Sequence, residues 1–271
     1  MSEVYTVAQL PPRDGGVEPS GAPAGSTQVV APSRRDDPSA AGGAASKLLP
    51  QTAGYASNVS QLRITEIFHS LQGESSRVGH PTVFIRLTGC PLRCAYCDTA
   101  YAFTGGQNMD MADILKRVAE FAPQYVTVTG GEPLAQKNCL VLLRSLCDAG
   151  YQVSLETGGA LDIAEVDPRV MRVVDIKTPA SGESAKNRWE NLALLTPHDE
   201  IKFVLCDEND YQWAKQIMRQ YQLAGKCPVL FSPSHNTLNA TQLADWILRD
   251  RLPVRMQVQL HKILWNNEPG H

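Results

Sequence analysis

The chain has 271 residues, a formal net charge of −3 and 7 cysteines. That length suits one domain of medium size, or one domain plus a tail, and the near-balanced charge excludes a direct nucleic-acid partner held by bulk electrostatics. No run approaches the roughly 20 apolar residues that span a bilayer, no basic-then-apolar leader opens the sequence, and an odd cysteine count with a close-set trio argues against a secreted disulfide framework, so a reducing, cytoplasmic setting without a membrane partner is expected.

Residues 1–60 differ from the rest. Ala, Gly, Ser and Pro supply 32 of these 60 positions, and Tyr5 and Tyr55 are the only aromatics. Such a segment buries too little apolar surface to offset its ordering entropy. It reads as a disordered low-complexity tail, and residues 61–271 as the folded domain. Thr82–Leu87 is β-rich and predicts a strand. Asp110 is placed to cap a helix through Phe121, with Ile114, Leu115, Val118 and Phe121 on one face. A strand over Tyr125–Thr129 is broken by Gly130-Gly131, and a helix over Lys137–Ala149 stops at Gly150. Strands follow at Gln152–Glu156, Arg172–Ile176, Glu200–Leu205, Val229–Ser232 and Arg255–Leu260. Helices fit between several of them, one capped by Asp207 through Tyr221 and one over Thr241–Arg249. This alternation predicts βα units around a parallel sheet, with ligands at the carboxyl ends of the strands.

Cys90, Cys94 and Cys97 stand directly after the first of these strands, in a loop that also holds Gly89 and Pro91. Three thiolates within eight residues are three corners of a soft-metal site. A [4Fe–4S] cluster normally takes four cysteines, so a loop that gives three leaves one iron open to an outside ligand. Structural zinc would bring a second C-x2-4-C pair, which is missing here; redox use of Cys94 and Cys97 as C-x-x-C stays an alternative, although that motif normally opens a helix after a thioredoxin-type strand. Tyr96 can shield such a cluster or pack on a bound base. Cys139, Cys147, Cys206 and Cys227 are expected to be small core residues. Thr129-Gly130-Gly131-Glu132-Pro133 closes the next strand. Its glycines permit close backbone approach, and its carbonyls can accept from an ammonium.

The C-x3-C-x2-C spacing and the Gly-Gly-Glu-Pro element together resemble the radical S-adenosylmethionine (SAM) superfamily. Ile67-Phe68-His69-Ser70-Leu71-Gln72-Gly73-Glu74, Asp98-Thr99 after the last cysteine, Asp175-Ile176-Lys177-Thr178-Pro179 and Leu260-His261-Lys262 narrow the resemblance to the 7-carboxy-7-deazaguanine synthase family of queuosine biosynthesis. It covers residues 62–271. It implies an α/β fold, a partial (β/α)6-type barrel with helices that are possible to drop, and a lyase that turns 6-carboxy-5,6,7,8-tetrahydropterin into 7-carboxy-7-deazaguanine with loss of ammonia. It implies a [4Fe–4S] cluster on Cys90, Cys94 and Cys97, whose open iron takes the amino and carboxylate groups of SAM, and a SAM that is cleaved to a 5′-deoxyadenosyl radical and regenerated. It also implies Mg2+ on the Thr99 hydroxyl, an electron donor such as flavodoxin or ferredoxin, and a homodimer.

The same resemblance distributes the remaining roles. Tyr96, Cys97, Asp98 and Gly131 would line SAM, with Lys177, Thr178, Pro179 and Ser232 as further SAM contacts. Leu71, Gln72, Gly73, Glu74, Thr129, His261 and Pro269 would touch the pterin. Arg86 would neutralise its carboxylate, since a guanidinium matches a carboxylate in bidentate fashion. No side chain is assigned catalysis beyond the cluster and SAM. The alternative is another small radical SAM protein, such as an activase that places a glycyl radical on a partner enzyme.

Overall fold

Side-chain alternation along the central strands sets the architecture. Between Pro81 and Leu87, Val83, Ile85 and Leu87 are fully buried in the apolar core, whereas Phe84 and Arg86 face a cavity. The pattern recurs: Val126 and Val128 against Thr129, Val153 and Leu155 against Glu156, Ile201, Phe203 and Leu205 against Lys202 and Val204. A strand has a period of two, so one face of the sheet is greasy and the other polar. Each fully buried Val, Leu or Ile contributes about 1.5–3 kcal/mol, and that burial holds the polar face in place.

The computed structural model describes residues 61–266, 268 and 270. The expected tail over residues 1–60 and Pro269 therefore lie outside the described residues. Among the described residues there are nine strands: β1 (Gln61–Leu71), β2 (Pro81–Leu87), β3 (Gln107–Asp110), β4 (Tyr125–Gly130), β5 (Gln152–Thr157), β6 (Met171–Asp175), β7 (Glu200–Leu205), β8 (Val229–Pro233) and β9 (Arg255–Met256). The helices are α1 (Met111–Glu120), α2 (Cys139–Asp148), α3 (Glu208–Gln220), α4 (Ala240–Asp250) and α5 (Leu260–Trp265). The sheet runs β3-β1-β2-β4-β5-β6-β7-β8-β9. From β2 to β9 all neighbours are parallel, while β1 pairs antiparallel with β2 and β3. The order is open, so the barrel is partial, with α1, α2, α3 and α4 returning the chain on the apolar side.

Several expectations need correction. β1 is an 11-residue strand that the amino-acid pattern hides. Leu62 and Ile64 are buried, but the register shifts between Ile64 and Glu66, after which Ile67 takes the core side. A bulge of this kind breaks the alternation a reader looks for. Asp110 does stand before α1, yet it makes no side-chain cap; its carboxylate accepts from Gln61 Nε2 at 3.0 Å. The last strand is two residues, not six, because Leu260 N–H donates to Gly73 O and starts α5. After β6 the chain makes only short 3-10 turns, at Pro179–Ser181, Ser184–Lys186 and Trp189–Ala193. After β5 it makes no helix at all, and Ile163, Val166 and Val170 fill the space. Cys139 and Cys227 are buried in the core and Cys147 packs against it, but Cys206 is half-buried and outside that cluster. Asp207 behaves as expected, accepting from Asp210 N–H at 2.9 Å to cap α3.

One buried ion pair ties β6 to the turn before β7. Arg172 Nη2 lies 2.6 Å from Asp199 Oδ2, with side chains 10% and 1% exposed, and Asp199 Oδ1 also accepts from Arg172 N–H and Nε. Thr196 adds two more donors to the same carboxylate. Removing one member strands the other charge out of water. Asp199→Ala should lower stability by about 3–5 kcal/mol, read as a fall in the urea midpoint at unchanged slope.

Candidate active site

The polar face of the sheet ends in a cavity of about 440 Å³ at the carboxyl ends of the parallel strands. Cys90, Cys94 and Cys97 all line it, and all three are free and half-buried. Their loop is tied down at many points. Gly89 turns it with φ +98, and Gly89 N–H donates to Ala102 O at 2.8 Å. Cys97 N–H donates to Cys94 O at 3.1 Å, Ala95 N–H to Ser181 O at 3.0 Å, and Arg93 N–H to Glu183 Oε1 at 2.7 Å. Burial pushes the Cys90 and Cys94 thiols up, so they are neutral until a metal displaces the protons.

The Gly-Gly-Glu-Pro element is stitched to the stem of that loop. Gly131 N–H donates to Leu87 O at 3.1 Å and Glu132 N–H to Gly89 O at 2.8 Å. A Cβ on Gly131 would collide with Gly89 O and lie 2.9 Å from Cys90 Cβ, and one on Gly130 would collide with Leu87. Gly130 also takes φ +149, so both positions exclude other residues. Glu132 is fully buried and accepts from Leu134 N–H (3.0 Å), Gly158 N–H (2.7 Å) and the Thr157 hydroxyl (2.9 Å). It clamps the exit of β4 to the exit of β5.

The cavity floor is an ionic network. Lys202 Nζ is 2.7 Å from Glu74 Oε2 and 3.5 Å from Asp175 Oδ2, and Lys177 Nζ is 3.0 Å from Asp175 Oδ2. Glu156 accepts from Thr129 Oγ1 at 2.9 Å and from Gln72 Nε2 at 3.3 Å. Arg86 Nε lies 2.7 Å from Glu66 Oε1, which also accepts from Tyr101. Above the floor, α5 sends Lys262 to Asp98 at 2.7 Å, and Gln259 Nε2 to Glu74 at 2.7 Å and Asp98 at 3.3 Å. Burial pushes the Asp98 carboxyl up, but the Lys262 ammonium and Gln259 override it and hold it well below the usual range. Burial holds the His261 imidazole low, hence neutral near pH 7.

The donor set fits the groups named from the resemblance. Three buried polar atoms on the cavity wall lack any hydrogen-bond partner: Tyr96 OH, Asp175 Oδ1 and Ser232 Oγ. Buried polar atoms are normally satisfied, so these await a polar ligand such as SAM. Among the described residues no three His, Cys, Asp or Glu side chains converge as mononuclear metal ligands; a cubane takes one thiolate per iron and does not need that convergence. Thr99 Oγ1 donates to Asp98 Oδ1 at 3.1 Å. That bond uses its proton and leaves oxygen lone pairs for a hard cation such as Mg2+.

A profile of the radical SAM superfamily matches residues 84–231. A 7-carboxy-7-deazaguanine synthase of Chlorobaculum tepidum is 50% identical over 208 residues, which is 76% of this chain and 94% of the relative. One of Koribacter versatilis is 46% identical over 222 residues, covering 76% and 98%. The chain belongs to the 7-carboxy-7-deazaguanine synthase family. The crystal structure of QueE from Escherichia coli superposes with a TM-score of 0.63 at 22% identity, over 76% of this chain and 100% of that one, and shares the partial-barrel fold.

Within this deazaguanine synthase family member, the cavity gathers most of the residues singled out from the sequence. Leu71, Gln72, Gly73, Glu74, Arg86 and Thr129 line it from the end of β1 and the segment after it, from β2 and from β4. Tyr96, Asp98, Thr99, Gly131, Lys177, Ser232 and His261 complete the wall. Thr178 and Pro179 do not line it. Thr178 is fully buried and spends its hydroxyl on Val204 O and Asp210 Oδ2, and Pro179 opens a 3-10 turn. Glu66, Glu156, Asp175, Lys202, Gln259 and Lys262 were missed. For Asp175 and Lys202 a signal existed: each is a charge flanked directly on both sides by apolar residues that face the core, Val174 and Ile176 for one and Ile201 and Phe203 for the other.

The stitched stem gives a prediction. Gly131→Ala should push Gly89 and Cys90 away from the exit of β4 and lower cluster loading, read as a loss of iron per chain and of visible absorbance after anaerobic reconstitution. Full iron content in this variant would show that the close approach at Gly131 is not needed to hold the cysteine loop.

Proposed function

We infer that the protein is a radical SAM lyase that converts 6-carboxy-5,6,7,8-tetrahydropterin to 7-carboxy-7-deazaguanine with release of ammonia. The observation that carries this reading is the meeting of the cysteine trio, the Gly-Gly-Glu-Pro strap and a floor of paired charges in one cavity. Cys90, Cys94 and Cys97 would hold a [4Fe–4S] cluster, which together with SAM would supply the radical chemistry of the reaction.

The chain's own groups bind and orient. Tyr96, Asp98 and Gly131 surround the place of SAM, and the unpartnered Asp175 Oδ1 and Ser232 Oγ accept or donate to its polar groups. Arg86 meets the substrate carboxylate. Glu66 engages only Nε of its guanidinium, so the terminal nitrogens keep their donors for a second carboxylate. Glu74 and Glu156 offer acceptors to the amino and ring N–H edge of the pterin, and the Gln72 amide holds the Glu156 side of that floor. His261 packs edge-on against Gly73, where an added Cβ would lie 3.2 Å from its Cε1. Thr99 would offer its hydroxyl oxygen to Mg2+, a hard cation that would supply charge neutralisation beside the substrate. The electron donor is a flavodoxin or ferredoxin, and the working unit is a homodimer.

An activase has to admit a backbone loop of its protein partner. Here α5 is tied to Gly73, Glu74 and Asp98 along the cavity, which favours a small ring. Anaerobic reconstitution, then incubation with SAM, reductant, Mg2+ and the carboxypterin, tests the reading by mass spectrometry. Formation of the deazaguanine without stoichiometric loss of SAM is expected. A loaded protein that cleaves SAM and leaves the pterin intact would overturn the substrate.

Two variants separate the roles. Arg86→Ala removes a binding charge and should raise KM for the pterin by about 10- to 100-fold with a smaller change in kcat; an unchanged KM would reject the carboxylate contact. Thr99→Ala should raise the Mg2+ concentration for half-activation by about tenfold at unchanged iron content. An unaltered Mg2+ activation curve would remove Thr99 from the metal site.

A further inference from the structure

Lys202 is a largely buried cation of the cavity floor. It sits on β7 directly across from Asp175 on β6, and its side chain is only 13% exposed. Three carboxylates face it from three elements. Glu74 comes from the segment after β1 at 2.7 Å, Asp175 from β6 at 3.5 Å, and Glu156 from β5 across the same face. Asp175 has a nearer cation in Lys177, at 3.0 Å. Glu156 has no ion-pair partner among the described residues; its oxygens hold only the Thr129 hydroxyl and the Gln72 amide. Lys202 is thus ion-paired with Glu74 and, more loosely, with Asp175, and Glu156 shares its face of the sheet and its cavity without a direct ion pair. Asp98 and Tyr96, from the cluster loop, are the remaining titratable groups that feel it.

Two buried carboxylates side by side cannot both stay ionised without a cation. A protonated glutamate presents a donor, and a donor set against the N–H edge of a ring substrate repels it. We propose that Lys202 is a positioning residue, the shared counter-ion that keeps Glu74 and Glu156 ionised together as acceptors for the donor edge of the substrate ring. The proposal rests on the functional reading above. Electrostatics agree with it. For Glu74, burial pushes the pKa up, yet the ammonium wins and the carboxyl ends below its ordinary value. For Glu156, burial dominates and the carboxyl ends above its ordinary value, with Lys202 opposing and Glu74 reinforcing the rise. Loss of the ammonium moves both upward.

The sign follows directly. The substrate needs the ionised pair, so raising their pKa values moves the acid limb of 1/KM to higher pH. In the reconstituted full-length protein, Lys202→Met should raise KM for the carboxypterin by about tenfold or more near pH 6, with the deficit shrinking as pH rises. Lys202→Arg, which keeps the charge, should retain the wild-type limb. A KM raised equally at every pH, or not raised, overturns the proposal, because a merely structural wall residue would act without regard to pH. If Lys202→Met fails to fold or to load iron, the double variant Glu74→Gln/Lys202→Met removes the buried pair together, and its limb must then report Glu156 alone at a raised pH. A pH-independent KM in the double variant likewise overturns the proposal.

A measurement without substrate separates this failure from failure of the functional reading. The side-chain carboxyl carbons of 13C-glutamate-labelled protein are titrated by NMR, and Glu74→Gln and Glu156→Gln assign the two signals. Both should titrate at higher pH in Lys202→Met than in wild type. Unmoved titrations overturn the counter-ion role even if the pterin is turned over. Moved titrations in a protein that never turns over the pterin keep the counter-ion role and overturn the substrate.

Discussion

Strand register is the constraint on which the molecule depends. Asp175 pairs with Lys202, and Phe203 pairs with Phe231, in adjacent positions of the same parallel sheet. A slip of one residue exchanges the two faces of a strand. In β7 it would drive Lys202 into the packed core and turn Phe203 toward the cavity. The cost of burying an unpaired ammonium is several kcal/mol, and the loss of Phe203 burial adds to it. The apolar face thus selects the register, and the register then assembles the ionic floor. Neither face specifies the site by itself.

The second level of order lies in the two loops that leave β2 and β4. They are neighbours in space because their strands pair in register from Thr82↔Tyr125 to Leu87↔Gly130. The glycines then let backbone meet backbone, and hydrogen bonds from Gly131 and Glu132 join the stem of the cysteine loop. Glu132 extends the join to β5 through Thr157 and Gly158. A buried carboxylate with three donors is well satisfied, although burial still pushes its pKa up. Glu132 is therefore a structural clamp, and the glycines before it are the part that faces the cavity.

Legibility in the sequence followed chemistry. The trio Cys90, Cys94 and Cys97 and the Gly-Gly-Glu-Pro run are local, so their spacing alone places them on neighbouring strand ends. The core strands were legible because Val, Ile and Leu alternate along them. The bulged β1 was not, since Leu62, Ile64 and Ile67 do not share one period. The charges of the floor were hard to find for another reason. Glu66, Glu156 and Lys202 come from separate strands, and only the folded sheet brings them beside Arg86, Gln72 and Glu74. Thr178 shows the reverse error: it stands in a suggestive run, yet its hydroxyl belongs to Val204 and Asp210. Composition near a motif is weaker evidence than the face on which a strand places a residue.

The C-terminal turn shows why a site of this type needs its distant end. One stretch from Gln259 to Lys262 makes three kinds of tie. Leu260 N–H reaches Gly73 O at 3.0 Å, Gln259 bridges Glu74 and Asp98, and Lys262 pairs with Asp98. Gly73 and Glu74 belong to the segment that follows β1, and Asp98 stands between Cys97 and Thr99 in the cysteine loop. The two halves of the cavity touch the same helical turn, so they cannot move apart without breaking these part-buried hydrogen bonds, the charge-assisted ones among them worth at most about 1.5–3 kcal/mol. Lys262 is only 5% exposed along its side chain, which makes its pairing with Asp98 obligatory rather than ornamental. Because α5 has six residues and few apolar contacts of its own, these polar ties are what hold it. The cavity is thereby closed by the same chemistry that furnishes its floor, with charges paired across elements far apart in the chain.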